Sequence, residues 1–525
     1  MAAEYEIIAA QLLRVNSRNH AAWNEWGRGI FDEALRMPPE IAEPMLTDAG
    51  RKFAVASDLS PGNAVYWQNR GAALLERAKR DTTGTPLPLF EEASTHYERS
   101  IRLSSRQSEA WKGAALCYME RAMRAGAKEC GSLYDDAFVR FAVLAELSPG
   151  NHDTWQIWGR VLLDCAQKLD NERSLPLLIE SIEKSERAFL LLPDALGPLN
   201  HAALALHNLA VRLPDAPAAP RWLAEADAKL RQGIALAPDA DLLWANRGML
   251  LLTRSRRREA RSAQKELLAE ADALLLVAHR LAPDSHQRLL NWGNVFTDLG
   301  TIAPTDEEAV AHYAEADAKF RACVEIEPGV ALYWTNWGIL HTLWALDGDS
   351  ERSSERRQEA CEKFAVADSL YSHALNNLFG WSDILCYQAK FAEDDRQFAL
   401  FLDEAESKCQ KAEKIQPGSY QVCLVSGNIF VRKAYRETDP AKRESLLLQA
   451  RRKYQDANEI DPSKGVYDMA CVAAMRASPD DCRSLLEDGL ARDVLPPRRR
   501  ILRDDDLRSV RDEEWFRQLL TRLPR

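Results

Sequence analysis

The sequence lacks nearly everything a reaction centre needs. Its 525 residues contain no Cys-x-x-Cys pair, no Walker-type or Gly-x-Gly-x-x-Gly phosphate loop, no His-Glu-x-x-His and no Gly-x-Ser-x-Gly elbow. The ten histidines are dispersed, and His201 and His207 stand six apart, a poor spacing for sharing a helix face. No catalytic residue, metal site or cofactor is therefore expected, and a small-molecule ligand is disfavoured. No apolar run approaches the roughly 20 residues a membrane helix needs; Ala273 to Ala278 is typical of what there is. The N-terminus, Met1-Ala-Ala-Glu, has neither the basic start nor the apolar stretch of a signal peptide. The ten cysteines are scattered through apolar helical contexts and read as buried free thiols. These absences point to the cytoplasm or another reducing soluble compartment, without membrane insertion; an organelle stroma fits if the N-terminus is a processed one. The net charge of −11 argues against sequence-independent nucleic-acid binding over the whole surface, though not against a local basic patch.

What the sequence has is a period. A proline or serine closes a helical segment at Ser17, Pro61, Ser105, Pro149, Pro193, Pro238, Pro283, Pro328, Ser372, Pro417 and Pro462, always 44 or 45 residues apart. A spacing held that long means a stack of like units, each contacting its neighbours. Residues 17–462 are read as ten such units. Residues 1–16 are a partial unit with a lone second helix. Residues 463–525 are a degenerate unit followed by a capping helix that carries Trp515, Phe516 and Leu519.

Each unit reads as a helix hairpin, A then B. Six residues past the marker stand Trp23, Trp67, Trp111, Trp155, Trp244 and Trp334; ten past it stand Gly27, Gly71, Gly159, Gly248, Gly293, Gly338 and Gly427. A glycine inside a helix costs about 1 kcal/mol against alanine, so it needs a packing reason. Twelve before the next marker the residue is nearly always alanine, as at Ala49, Ala93, Ala137 and Ala226; eight before, it is often aromatic, as at Phe53, Tyr97, Phe141, Phe320, Phe364 and Tyr454. The alternation of large and small residues is the logic of packed helix pairs.

The order Trp, Gly/Ala, Ala, aromatic, small, Pro resembles the tetratricopeptide repeat across nearly the whole chain. The resemblance implies an all-α, right-handed superhelical solenoid whose A helices line a concave groove, acting as a non-enzymatic scaffold for protein partners. The family repeat is about 34 residues. The extra ten or so here fall between the glycine and alanine columns, so longer helices joined by a loop are expected.

Three sets of residues are candidates for contact with a partner. Asp32, Glu76, Glu120, Asp164, Asn208 and, further on, Asp298 stand fifteen past the marker and make an acidic ladder suited to a basic peptide. The bland alternative is local pairing, Glu76 with Arg80, Glu120 with Arg124 and Asp164 with Lys168. Asn246, Asn291 and Asn336 share a second column, with Asn294 facing nearby; the resemblance implies that such asparagines bond the backbone of a bound peptide. Arg254, Arg256, Arg257, Arg258 and Arg261, with Arg356 and Arg357, are basic clusters on the A–B loop edge and suit an anionic partner. A protein or peptide partner is the first reading. RNA is the weaker one, and a regulatory subunit of a separate enzyme is a third.

Overall fold

Each period marker ends a helix by the same local means. The residue before it leaves the helical region, with φ −138° at Ser60, −153° at Ser104, −141° at Ser148, −140° at Ala237 and −140° at Glu327. Where the marker is proline, it disfavours the helical conformation in the residue before it and offers no N–H to continue the ladder; at Ser104, followed by Ser105, the chain breaks without it. Two residues later the chain restarts, often under an asparagine cap: Asn63 accepts from the Val65 amide at 3.0 Å and Asn151 from Asp153 at 3.0 Å.

The structure, a computed structural model, describes residues 2–81, 84, 86–169, 171–257, 261–347 and 350–523. Among them there is no strand. A first helix, α1 (Ala2–Val15), precedes ten hairpins: α2 (His20–Ala34) with α3 (Pro39–Leu59), α4 (Ala64–Lys79) with α5 (Leu87–Leu103), α6 (Ser108–Arg124) with α7 (Ala127–Leu147), α8 (His152–Lys168) with α9 (Asn171–Leu191), α10 (Leu196–Arg212) with α11 (Ala219–Leu236), α12 (Asp241–Ser255) with α13 (Arg261–Leu281), α14 (His286–Ile302) with α15 (Asp306–Ile326), α16 (Ala331–Asp347) with α17 (Ser350–Leu370), α18 (Leu375–Ala389) with α19 (Asp395–Ile415), and α20 (Tyr420–Arg436) with α21 (Pro440–Ile460). A short pair, α22 (Val466–Met475) and α23 (Pro479–Ala491), follows. The chain ends in α24 (Arg498–Arg503), a 3-10 turn (Asp505–Val510) and α25 (Glu514–Arg522). The added length lies in the helices themselves: the second helix of most hairpins runs to 21 residues.

The sequence columns are physical contacts. A methyl group added at Gly27 would lie 2.7 Å from the Phe53 ring, at Gly293 2.7 Å from Phe320, and at Gly338 2.7 Å from Phe364. The glycine thus admits the aromatic of its own B helix, eight residues before the next marker. Where that aromatic is replaced by Ser185, the Ser181 hydroxyl donates to the Gly159 carbonyl at 2.7 Å. The tryptophan column is tied to the period marker. The indole N–H of Trp23 donates to the Ser17 carbonyl at 3.0 Å, Trp67 to Pro61 at 2.9 Å, Trp111 to Ser105 at 2.9 Å, Trp155 to Pro149 at 3.0 Å and Trp334 to Pro328 at 2.9 Å. A second tryptophan column is covered by lysines from the B helix: Lys52 stands 4.2 Å from the Trp26 ring, Lys184 4.4 Å from Trp158, Lys319 4.1 Å from Trp292, Lys363 4.2 Å from Trp337 and Lys408 3.4 Å from Trp381. Each is a cation–π contact of about 0.5–1 kcal/mol. This architecture is all-α and TPR-like.

The chain divides into two compact units, residues 1–238 and 239–525. Within each unit, successive A helices touch one another as well as their own B helices, so the A helices of that unit form a continuous face. In the second unit, Phe516 and Leu519 of α25 pack with Leu507, Ile501, Leu486 and Cys482 over the end of the array. Among the described residues no helix is long and apolar enough to cross a membrane. The ten cysteines form no disulfide, and most are buried.

Candidate functional site

An α-helix leaves its last carbonyls without intrahelical partners and carries partial negative charge there. In this array the next hairpin supplies the missing donors. Nineteen residues past the marker stand Arg36, Arg80, Arg124, Lys168, Arg212 and Arg257. Arg80 donates to the carbonyls of Ala34 and Leu35 at the end of α2, at 3.0 and 3.2 Å. Lys168 reaches Met123 at the end of α6, at 2.6 Å, and Arg212 reaches Ala166 near the end of α8, at 2.8 Å. Arg436, late in the second unit, repeats the pattern on Ala392 and adds Asp395 at 2.8 Å.

Between Arg257 and Arg436 the same column reads Ile302, Asp347 and Phe391. At the second of these a carboxylate stands where a guanidinium belongs, and its side chain is 1% exposed. The C-terminal tail makes good the loss. Arg499 donates to the Ala303 carbonyl at 3.0 Å, to Gly300 at 2.8 Å and to Asp347 Oδ2 at 2.9 Å. Arg500 takes the other oxygen of Asp347 at 2.9 Å, and the Tyr313 hydroxyl donates to Oδ2 at 2.6 Å. Arg503 donates to the Asp347 carbonyl at 3.0 Å and pairs with Asp306. Burial alone would raise the Asp347 carboxyl; Arg500 and Arg499 beside it hold it below the usual carboxylate range.

The tail then follows the A-helix face toward the end of the array. Asp505 pairs with Lys390 at 2.6 Å, Asp506 accepts from Tyr435, Asp504 accepts from Tyr467 at 2.8 Å, and Ser509 donates to the Ala474 carbonyl at 2.7 Å. Beside it lies a polar cavity of about 370 Å³ lined by Asp383, Asn428, Arg432, Asp468 and Arg500 among others. Asp468 there is pushed up to about 7, by burial first and then by Asp383 and Asp504. Cys471, Asp504 and Asp506 bring ligand-type atoms within 4.8 Å of one another. Burial and the neighbouring carboxylates raise the Cys471 thiol well above its ordinary value, and two tyrosines already bond the carboxylates, so the trio is a hydrogen-bonded anchor for the tail.

The residues singled out in the sequence are spread over both units. In the first, Asp32 is exposed and Asn208 half-buried. Glu76 pairs with Lys79 at 2.9 Å rather than with Arg80, which is engaged at the end of α2. Glu120 pairs with Arg124, and Asp164 lies 3.8 Å from Arg160 rather than pairing with Lys168. Burial raises the Asp164 carboxyl and Glu120 pushes it the same way, against Arg160 and Lys168, so neighbouring rungs feel each other's charge. In the second unit, Asp298 accepts two bonds from Arg256, at 2.6 and 3.1 Å. Asn246 and Asn291 are buried between helices, and Asn336 donates to Asn294 at 3.1 Å. Asn336 thus joins one A helix to the next, as Asn69 does with Asn24 at 2.8 Å.

The basic clusters are largely committed within the chain. Arg356 pairs with Glu359 at 2.7 Å and lies 3.7 Å from the Trp344 ring; Arg357 is buried, bonded to Ser353 at 2.8 Å and 4.1 Å from the Phe391 ring. Arg254 and Arg257 are half-buried at the end of α12. Arg258 and the Arg261 side chain lie outside the described residues. The arginines that matter most, Arg499, Arg500 and Arg503, were missed as site residues. Their signal was the loss of the cation column at Asp347, which is readable in the sequence once the column is known.

Stacked hairpins with these column contacts define a TPR-like helical-repeat protein. No family model matches the chain, and no curated protein matches its sequence. Among solved structures, a human IFIT1 dimer with PPP-AAAA is similar over 82% of this chain and 94% of that one, at 11% identity and a TM-score of 0.42. The APC/C hetero-tetramer Cut9–Hcn1 is similar over 99% and 93%, at 12% identity and a TM-score of 0.41. The thermophilic TPR protein TTC0263 of Thermus thermophilus is similar over 43% and 98%, at 16% identity and a TM-score of 0.32.

Proposed function

We propose that the protein is a non-enzymatic scaffold that binds segments of other proteins on its A-helix faces. One observation carries this reading: the A-helix face of the second unit holds a peptide segment, the chain's own Arg498–Val510, through side-chain bonds to helix ends. Rigid helices present many weak contacts at fixed spacing, so a bound segment meets little ordering cost on the receptor side.

For the first unit the fitting partner is a basic peptide. There Asp32, Glu76, Glu120 and Asp164 share one sequence column, Glu120 and Asp164 feel each other's charge, and the pairs that screen three of them are side-chain contacts within one helix. Such pairs are worth about 0.3–0.5 kcal/mol each, so a multivalent cationic segment can displace them. The commitment of Arg256, Arg356 and Arg357 to internal partners favours protein over RNA as the ligand.

The test is titration with a fluorescent Lys/Arg-rich peptide. E76K/E120K/D164K is expected to weaken binding at least tenfold with the melting temperature kept. Unchanged affinity would retire the acidic row as the binding surface.

A further inference from the structure

The second unit's face has a chemistry of its own. At Asp347 it presents to the tail a cluster of acceptors: both carboxylate oxygens, one of them also bonded by the Tyr313 hydroxyl, the Asp347 carbonyl, the carbonyls of Gly300, Thr301 and Ala303, and the nearby Asp306 carboxylate. Acceptors spread over two helix ends suit a planar fork of five N–H donors, which a guanidinium has and an ammonium does not. Arg499 fills this place with 8% of its side chain exposed, and Arg500 shares the carboxylate. Ile501, lying between them and Arg503 in the chain, is fully buried against the Leu507 and Ala470 cluster. The face around Asp347 therefore suits Arg-Arg-x-x-Arg, while Ile501 ties the segment to the C-terminal cap. At Arg80, Lys168 and Arg212, where the column keeps its cation, the same place is filled from within the array.

We propose that the A-helix face around Asp347 is a receptor for an Arg-Arg-x-x-Arg segment of a partner protein, and that the chain's own Arg499–Arg503 occupies it as an intramolecular competitor. The proposal rests on the scaffold reading but concerns a different face and a different ligand from the acidic row. A tethered segment acts at an effective concentration of about millimolar, so a free segment at micromolar concentration is excluded while the tail is seated. Weakening the tail opens the receptor.

The experiment uses the full chain and a fluorescent peptide with the sequence of residues 496–511, titrated against three proteins. Wild type is expected to bind it weakly. R499A/R500A/R503A keeps the anchors Leu507, Phe516 and Leu519, and is expected to bind at least tenfold more tightly. D347R restores the cation column and repels the tail, so it is expected to release residues 498–504 to faster hydrogen exchange, yet to bind no peptide. If the triple variant loses its helical circular dichroism, R503A, whose side chain is half exposed, takes its place with a smaller gain expected. No gain in either variant overturns the proposal. Equal binding to D347R overturns it too, because the peptide then sits elsewhere. A peptide with all three arginines changed to lysine that binds as well as the original removes the guanidinium argument. E76K/E120K/D164K is expected to leave this assay unchanged, so the two readings fail separately.

Discussion

The two units solve one problem in two ways. An A helix ends in carbonyls without intrahelical partners, and at several ends a donor from elsewhere in the chain meets them. The first unit meets them with a run of cations from the next hairpin, Arg80, Lys168 and Arg212. The second interrupts the run with Ile302, Asp347 and Phe391, and at the ends of α14 and α16 its own C-terminus supplies the donors. The first arrangement is local, so each repair travels with its repeat. The second spans some 150 residues of sequence, from Asp347 to Arg499, and makes the face depend on a distant segment of the chain. On the competition proposed above, a repeat array gains a conditional surface when one column residue changes sign.

The largest expected effect breaks this contrast at its centre. Asp347→Ala leaves Arg499 and Arg500 without their carboxylate, one of them buried, and should cost the second unit about 3–5 kcal/mol. Hydrogen exchange resolved by unit should show the first unit unchanged. An equal loss in both units would mean that they are not independent in stability.

Titration should separate the units next. Asp468 is pushed up to about 7, whereas carboxylates in an unfolded chain titrate near 3.9. Between roughly pH 4 and 7 the folded state holds a proton that the unfolded chain releases, so this contribution is present in acid and lost as pH rises through 7. Asp468→Asn should therefore raise the melting temperature of the second unit at pH 8 and change it little at pH 5; a variant equally stabilising at both would contradict the shift. The first unit runs the other way. Burial pushes His201 and His207 down to about 4, against about 6.5 in an unfolded chain. Their contribution is present above pH 6.5 and lost as pH falls toward 4.

The smallest effect sharpens the local half of the comparison. Arg212→Ala removes the donor to Ala166 and Asn171 and should cost about 1 kcal/mol, confined to the exchange of α8 and α10. A loss of several kcal/mol would mean that the column does more than cap helix ends.

Much of this architecture was legible because packing leaves a periodic trace. Gly27 and Phe53, or Gly338 and Phe364, occupy fixed columns since one side chain fills the space the other vacates. The tryptophan six past each marker is fixed by its bond to the marker's own carbonyl. The lysines over Trp26, Trp158, Trp292, Trp337 and Trp381 form a column too, but lysine is so common on helix surfaces that the column did not stand out. Helix phase alone does not separate a groove-facing residue from one facing the next helix. Asn336 and Asn294 therefore looked like peptide ligands until the structure showed them bonded to each other. The tail at Asp347 was the hardest to see, because it joins distant residues and obeys no period.

The most direct test of the account is a double-mutant cycle on Asp347 and Arg499, comparing Asp347→Asn, Arg499→Met and the double variant by denaturant unfolding of the second unit. A buried charge pair of this kind predicts a coupling energy of at least about 2 kcal/mol. A coupling within about 0.5 kcal/mol of zero would mean that the tail is not held by Asp347, and the contrast between the two faces would fall with it.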